Sequence, residues 1–316
     1  MNIPPPARTD PTALCSVRRL PDPADTNEWD RLFIPGDIKA RCLRFVDTLA
    51  LLARQRVSGF GLAQHRTLLL YGEPGCGKTS LARCVPHQWA MLHNVPALRV
   101  QTNTHALPSG ERGGTQKNVQ SLFMQLREIA GLGEPTFVVI DEVETLGTDR
   151  ASANPNTNPL DTAFAVNSFL EAIDDLAAAC PNVVFLLTTN LPRMVDRAVL
   201  DRADFHVHVP LPDAACRSQI LADALAELEA AGIWPYDGGE KFSAAADETW
   251  RAIGHATEGL SARLIRHLPL VALTLVSQPA ELRPAHLLAA AREHRSAQAQ
   301  LTAQKGVYTY DFQQPV

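Results

Sequence analysis

Five short, mostly apolar runs recur between residues 67 and 211: TLLLY (67–71), PALRVQT (96–102), TFVVID (136–141), NVVFLLTTN (182–190) and FHVHVPL (205–211). Each has strand length, and a run without a polar face reads as a strand covered on both sides. Helical spacing of apolar positions separates them at 78–93, 116–131 and 162–179. This alternation predicts an α/β fold, a parallel five-stranded sheet between helices in an αβα domain. Upstream, Ile38, Cys42, Phe45, Leu49 and Leu52 follow a Pro-Gly-Asp start at helical spacing, which predicts a helix ending near Arg54. After Pro212 the pattern is helical throughout, in CRSQILADALAELEAAG, ADETWRAIGHATEG, LSARLIRHLPLVALTLV and RPAHLLAAAREH.

The change of pattern predicts an extended N-terminal arm (1–25), a large domain (26–211), a small helical domain (212–297) and a C-terminal tail (298–316). One local rule is broken. Pro86 falls inside the 78–93 helix, where proline removes a hydrogen bond and crowds the preceding turn, so a kink or an end near Val85 is expected.

Composition narrows the class without choosing a function. The 316 residues are 46% hydrophobic and 20% charged, with a formal net charge of −5. That balance fits a globular chain and offers no broad basic field to nucleic acid or to an anionic membrane. No apolar run reaches membrane-spanning length, and MNIPPPARTDPTAL lacks a signal peptide's apolar stretch, so a cytoplasmic protein is expected. The six cysteines show no C-x-x-C spacing and read as reduced thiols. His206 and His208 share a strand face, an arrangement more often solvated than metal-binding.

The chemistry begins after the first strand of the large domain. Gly72, Glu73, Pro74, Gly75, Cys76, Gly77, Lys78 and Thr79 satisfy G-x-x-x-x-G-K-[ST], and Ser80 follows. Such a loop leaves backbone N–H groups open to cradle phosphates, Lys78 reaches the outer phosphates, and Thr79 holds Mg²⁺. The next helix turns its positive end toward the anion. ATP and Mg²⁺ are therefore the expected ligands. Inside this loop, Cys76 is expected to react with thiol reagents and to be protected by ATP.

Hydrolysis also needs a metal holder and a group that activates water. FVVIDE ends a buried strand with both: Asp141 for the metal and Glu142 for the base. Asn190 ends a further strand, where it is placed to bond the γ-phosphate or the water. Arg202, in LDRADF, and Arg263, in GLSAR, are candidates to neutralise charge on the transferring phosphate.

In this order GEPGCGKTS, VVIDEVETL, LLTTN, LDRAD and GLSARLIRHLP resemble the AAA+ ATPases of the pachytene-checkpoint type, remodellers of HORMA-domain proteins. WDRLFIP, NTHAL (103–107), IDEVETL, DRAD and the GLSAR–RHLP element carry the narrower resemblance, and the resemblance as a whole extends from Trp29 to about residue 295. It implies a P-loop NTPase with a helical lid, a homo-hexameric ring with nucleotide at subunit interfaces, and a HORMA-domain substrate. In that comparison Asn190 matches the first sensor, Arg202 the interfacial finger and Arg263 the lid-borne second sensor. With few residues before Trp29, a separate substrate-recognition domain is expected to be absent, as in compact bacterial relatives linked to cyclic-oligonucleotide anti-phage systems. The loop PSGERGGTQK (108–117), at the position of a pore loop, has no aromatic residue, so Glu111 and Arg112 stand where the substrate grip is expected. The alternative is a nucleotide-dependent nucleic-acid module of the helicase-loader or clamp-loader type, which the acidic balance argues against.

Overall fold

A computed structural model describes residues 14–25, 28–55, 65–109, 113–146, 159–193, 195–233 and 248–304. They divide into two compact units, one drawn from Met1–Trp29, Ile38–Tyr71 and Lys78–His208, the other from Asp30–Asp37, Gly72–Gly77 and Val209–Val316.

The first unit is built on a six-stranded sheet of β1 (Leu14–Leu20), β2 (Thr67–Tyr71), β3 (Ala97–Thr102), β4 (Thr136–Ile140), β5 (Val183–Thr189) and β6 (Phe205–His208). The strand order is β1-β3-β4-β5-β2-β6. The five predicted strands are parallel to one another. The sixth, β1, lies within the segment expected to be an extended arm and pairs antiparallel with β3. Every residue of β4 and β5 is buried, as their continuous apolar runs require.

Helices α1 (Ile38–Arg54), α2 (Lys78–His93), α3 (Gly114–Ala130), α4 (Pro159–Ala179) and α5 (Arg197–Asp201) belong to the same unit. On α1, Cys42, Val46 and Leu49 are buried, and Phe45 stacks on Phe205 at 5.2 Å between ring centroids. Phe123 of α3 meets Phe169 of α4 edge-on at 5.6 Å. These rings anchor the core with Leu126, Val138 and Phe185, each side chain contributing on the order of 2 kcal/mol by burial.

Two local expectations change. Of the kink or end expected near Val85, the end does not occur: helix α2 continues through Pro86 to His93. Val85, Pro86, His87, Trp89 and Ala90 are all buried, so packing beyond the proline holds the last turns against its cost. The loop expected at 108–117 is also shorter, because α3 already begins at Gly114 after Gly113 in the left-handed region (φ +71°). The Thr115 hydroxyl accepts a bond from the Ser109 N–H at 3.0 Å. Glu111 and Arg112, the Asn-rich segment through residue 158, and 305–316 lie outside the described residues.

The second unit is helical: α6 (Ala214–Ala230), α7 (Glu248–Ala256), α8 (Ala262–Leu273) and α9 (Pro284–Gln304). Leu260, Ile265, Leu268, Ala272, Leu287 and Ala290 form its core. The WDRLFIP segment is held to it by charge. Arg31 bonds Asp223 at 3.0 Å and pairs with Glu227 of α6, while Arg266 of α8 reaches Asp223 at 2.8 Å.

Candidate active site

In the first unit the site forms at the carboxyl ends of adjacent strands. Because β5 lies between β2 and β4, residues closing β5 stand between the helix that follows β2 and the acids that follow β4. The open carboxyl edge of such a sheet is where ligands bind in α/β folds.

Asp141 is the centre of this cluster. The Thr79 hydroxyl, in the first turn of α2, donates to its two carboxylate oxygens at 2.8 and 3.1 Å. Thr188 of β5 donates to Asp141 Oδ1, and the Thr104 hydroxyl donates to the Asp141 carbonyl at 2.9 Å. A threonine hydroxyl beside a carboxylate, both hard oxygen donors, is a set that suits Mg²⁺. Lys78, the first residue of α2, is buried at 4% exposure.

Glu142 has φ +53°, a strained value for a residue with a side chain and one that clusters at functional sites. Several bonds hold it there. Its N–H donates to Thr188 Oγ1 at 3.2 Å, and its carbonyl accepts from the Thr145 N–H at 3.0 Å and hydroxyl at 2.9 Å. The side chain is half-exposed: Oε2 lies 2.9 Å from His105 Nε2, and Oε1 accepts from Asn190 Nδ2 at 3.4 Å. Since a carboxylate only accepts, the His105 nitrogen facing it carries the proton. The Asn190 N–H donates to Glu144 Oε1 at 3.0 Å.

The structure thus brings Thr79, Asp141, Glu142 and Asn190 together. It adds three residues that were not singled out: Thr188, Glu144 and His105. Each lies inside a motif of the sequence (LLTTN, VVIDEVETL and NTHAL), but nothing in a linear spacing tells which hydroxyl, carboxylate or imidazole turns inward.

Arg202 occupies a different place. It caps α5 just before β6, at the amino-terminal edge of the sheet and opposite Asp141. Its Nε donates to Asp174 at 2.9 Å and its Nη1 to the Ala198 carbonyl at 3.3 Å. The two histidines of β6 are separately engaged: His206 Nε2 lies 3.0 Å from the Leu200 carbonyl, and His208 packs against Tyr71. No cluster suited to a metal ion occurs among the described His, Cys, Asp and Glu side chains.

The glycine loop belongs to the second unit. Gly75 has φ +80°, and a Cβ there would stand 2.7 Å from Ser261 Oγ and 3.1 Å from Arg263 Cβ. Its carbonyl accepts the Arg263 N–H at 3.1 Å. Ser261 caps α8, so the loop lies against the first turn of the helix that carries exposed Arg263. A Cβ at Gly72 would meet the Val209 carbonyl oxygen at 2.2 Å, so glycine is required on steric grounds as well. Cys76 is only 3% exposed, which opposes the expectation of an accessible, reactive thiol. Glu73 is half-buried, and Pro74 and Ser80 are exposed.

With this geometry in place, similarity to known proteins becomes decisive. The profile of the ATPase family associated with various cellular activities (AAA) matches residues 68–211. CD-NTase-associated protein 6 of Pseudomonas aeruginosa is 35% identical over 91% of this chain and 94% of its own length. The chain is an AAA ATPase. Within that family it belongs to the pachytene-checkpoint branch. The pachytene checkpoint protein 2 homolog of Arabidopsis thaliana is 30% identical over 82% of the chain, although the chain spans only 61% of that protein. Among solved structures, C. elegans PCH-2 superposes with a TM-score of 0.72 at 26% identity, covering 90% of this chain and 75% of that one. The Trip13-containing E. coli MS115-1 HORMA:CdnC:Trip13 complex gives 0.68 at 20% identity, over 89% and 95%, and shares the fold. As an AAA ATPase, the chain has a site for nucleotide binding and hydrolysis. No described helix is long and apolar enough to cross a membrane.

Proposed function

We propose that this AAA ATPase assembles as a homo-hexameric ring and uses ATP hydrolysis to disassemble a HORMA-domain protein complex in bacterial anti-phage signalling. Membership of the pachytene-checkpoint branch and similarity to a CD-NTase-associated protein along nearly its whole length support the physiological part.

The observation that carries the ring is the place of Arg202. The Asp141–Thr79 cluster lies at the carboxyl edge of the sheet and Arg202 at the amino edge. Strand β2 alone, five residues long, separates these edges by roughly 15 Å. An arginine so placed serves a neighbouring subunit's phosphates rather than its own.

The roles follow from position. Backbone groups of Gly72–Gly77, with Lys78 and Ser80, bind the phosphates. Thr79 and Asp141 hold Mg²⁺, which when bound screens charge on the phosphate oxygens. Glu142 takes a proton from water as the water oxygen bonds the γ-phosphorus and the bond to the β–γ bridging oxygen breaks, releasing ADP. Asn190 orients that water, and Arg263 reports nucleotide to the lid.

The test is a Glu142→Gln variant incubated with ATP. It should form hexamers by light scattering and retain a purified HORMA-domain partner that Lys78→Ala does not. A variant that binds ATP but stays monomeric, or ignores the partner, would remove this reading.

A further inference from the structure

Arg202 is tied into a set of bonds that the ATPase chemistry described above leaves unused. Its partner Asp174 lies on α4, and the two Asp174 oxygens are divided: Oδ2 accepts from Arg202 Nε at 2.9 Å, and Oδ1 lies 2.7 Å from His65 Nδ1. A carboxylate only accepts, so His65 Nδ1 carries the proton. The His65 backbone N–H in turn donates to Asp204 Oδ1 at 3.3 Å, and Asp204 Oδ2 accepts the Thr67 N–H at 3.0 Å. All of these groups are gathered at the amino-terminal edge of β2 and β6. His65, Asp174 and Arg202 are about one-third exposed or less, at 28%, 35% and 29%.

The direction of the Arg202 bonds matters. A guanidinium offers five N–H groups, and here only one from Nε and one from Nη1 are used among the described residues. The Nη2 end remains available for a phosphate oxygen. Holding an arginine by its inner edge removes rotamer freedom that would otherwise be lost on contact with the transferring phosphate. The negative charge of Asp174 is shared with His65, so it fastens the guanidinium without covering its outer face.

We propose that Asp174, oriented by His65, is the positioning residue for Arg202, presenting the guanidinium to the nucleotide of the adjacent subunit. This rests on the reading of Arg202 as a finger acting in trans. It predicts that Asp174 matters to the neighbour's hydrolysis and not to the site in its own subunit.

Mixed rings separate the two ideas. Arg202→Ala and Asp174→Asn subunits, each with an intact phosphate loop, are separately mixed with Lys78→Ala subunits, whose Arg202 and Asp174 are intact. Co-assembly is verified by tag capture, and ATP hydrolysis is measured. Alone, Asp174→Asn should lower kcat by about tenfold or more with KM for ATP little changed, and Arg202→Ala should lower it further. Each mixture should recover activity above the sum of its parts. The Asp174→Asn mixture should recover as the Arg202→Ala mixture does, an outcome that a folding defect would not give. Asp174→Glu, which keeps the charge, should retain more activity than Asp174→Asn. Recovery with Arg202→Ala but not with Asp174→Asn, or full activity of Asp174→Asn alone, would overturn the inference and leave the finger standing. Failure of both mixtures would remove the finger and the inference together.

Discussion

Asn190 joins Glu142 to the turn beyond it: its side-chain amide donates to Glu142 Oε1 at 3.4 Å while its backbone N–H donates to Glu144 Oε1 at 3.0 Å. One residue at the end of β5 therefore ties Glu142, the proposed base, and Glu144 to the neighbouring strand. Glu144 is only 5% exposed, so its bond to the backbone is sheltered from competing water. Asn190→Ala should leave the fold and nucleotide affinity close to those of the parent and reduce kcat by roughly 10²-fold, the scale of losing one donor at a reacting centre. Steady-state kinetics beside equilibrium nucleotide binding checks it. A loss confined to affinity would assign Asn190 to binding alone.

Gly75 makes a separate, steric prediction. Alanine there would put a methyl group 2.7 Å from Ser261 Oγ at a backbone φ of +80°. The left-handed conformation costs a residue with a side chain roughly 1–2 kcal/mol, before any shift of Ser261 or Arg263. Gly75→Ala should thus lower thermal stability and weaken binding of a fluorescent ATP analogue together. Gly133→Ala also has positive φ, but with open space around it, and it should cost stability without affecting nucleotide.

Much of this architecture is legible in the sequence because burial on both faces leaves an unmistakable mark. Strands β4 and β5 are continuous apolar runs, and their polar ends, Asp141, Glu142 and Asn190, are where the ligand edge must be. Strand β1 leaves no such mark. It is an edge strand with Ser16, Val17, Arg18 and Arg19 exposed, its charges engaged by Asp22 and Glu134, and it follows a proline-rich stretch. Helix α2 does not end at Pro86 because tertiary packing outweighs a local penalty. Thr188, Glu144 and His105 are invisible as site residues because their partners arrive from other strand ends, and only the strand order makes them neighbours.

The charged joint in the second unit should respond to acid. Burial pushes the Asp223 carboxyl upward, but bonds and charge from Arg31 and Arg266 outweigh it and hold its pKa below the ordinary aspartate value. A depressed carboxyl contributes stability that is present above its unfolded pKa, near 3.9, and that fades as pH falls toward the lower folded value. The parent should therefore lose stability below about pH 4 more steeply than Asp223→Asn, which is weaker at neutral pH and lacks this titration. Chemical denaturation at pH 7, 4 and 3 measures the difference. Parallel curves for the two proteins would mean that Asp223 is not protonated on unfolding in that window.

Two cysteines should be inert in the folded protein. Burial is the main cause that pushes the Cys42 and Cys84 thiols up to about 12, and Glu28 adds to it at Cys84. At pH 8 only about one thiol in ten thousand would then be ionised, and the thiolate is the reactive form. Brief alkylation of native protein followed by peptide mass spectrometry should find both unmodified, and full modification after unfolding. Early labelling of Cys84 would show that α2 opens locally.

Thr188 gives the most discriminating test of how the acids are held. It is 1% exposed, and one hydroxyl serves two purposes: it donates to Asp141 Oδ1 and accepts the Glu142 N–H at 3.2 Å. The second bond restrains a residue whose φ of +53° is unfavourable. Valine has nearly the same shape and the same preference for strands, so Thr188→Val should fold with the parent's sheet while leaving a buried donor at Glu142 without its partner. Bonds that orient metal ligands are commonly worth 10–100-fold in affinity or activity. Thr188→Val should accordingly raise the Mg²⁺ concentration needed for half-maximal hydrolysis and lower kcat within that range. Thr188→Ser keeps the hydroxyl and should retain most of both. Equal losses in the two variants would point to packing at the end of β5 instead, because serine lacks only the methyl group. Parent-like kinetics in Thr188→Val would mean that Glu142 holds its position through Thr145, His105 and Asn190 alone.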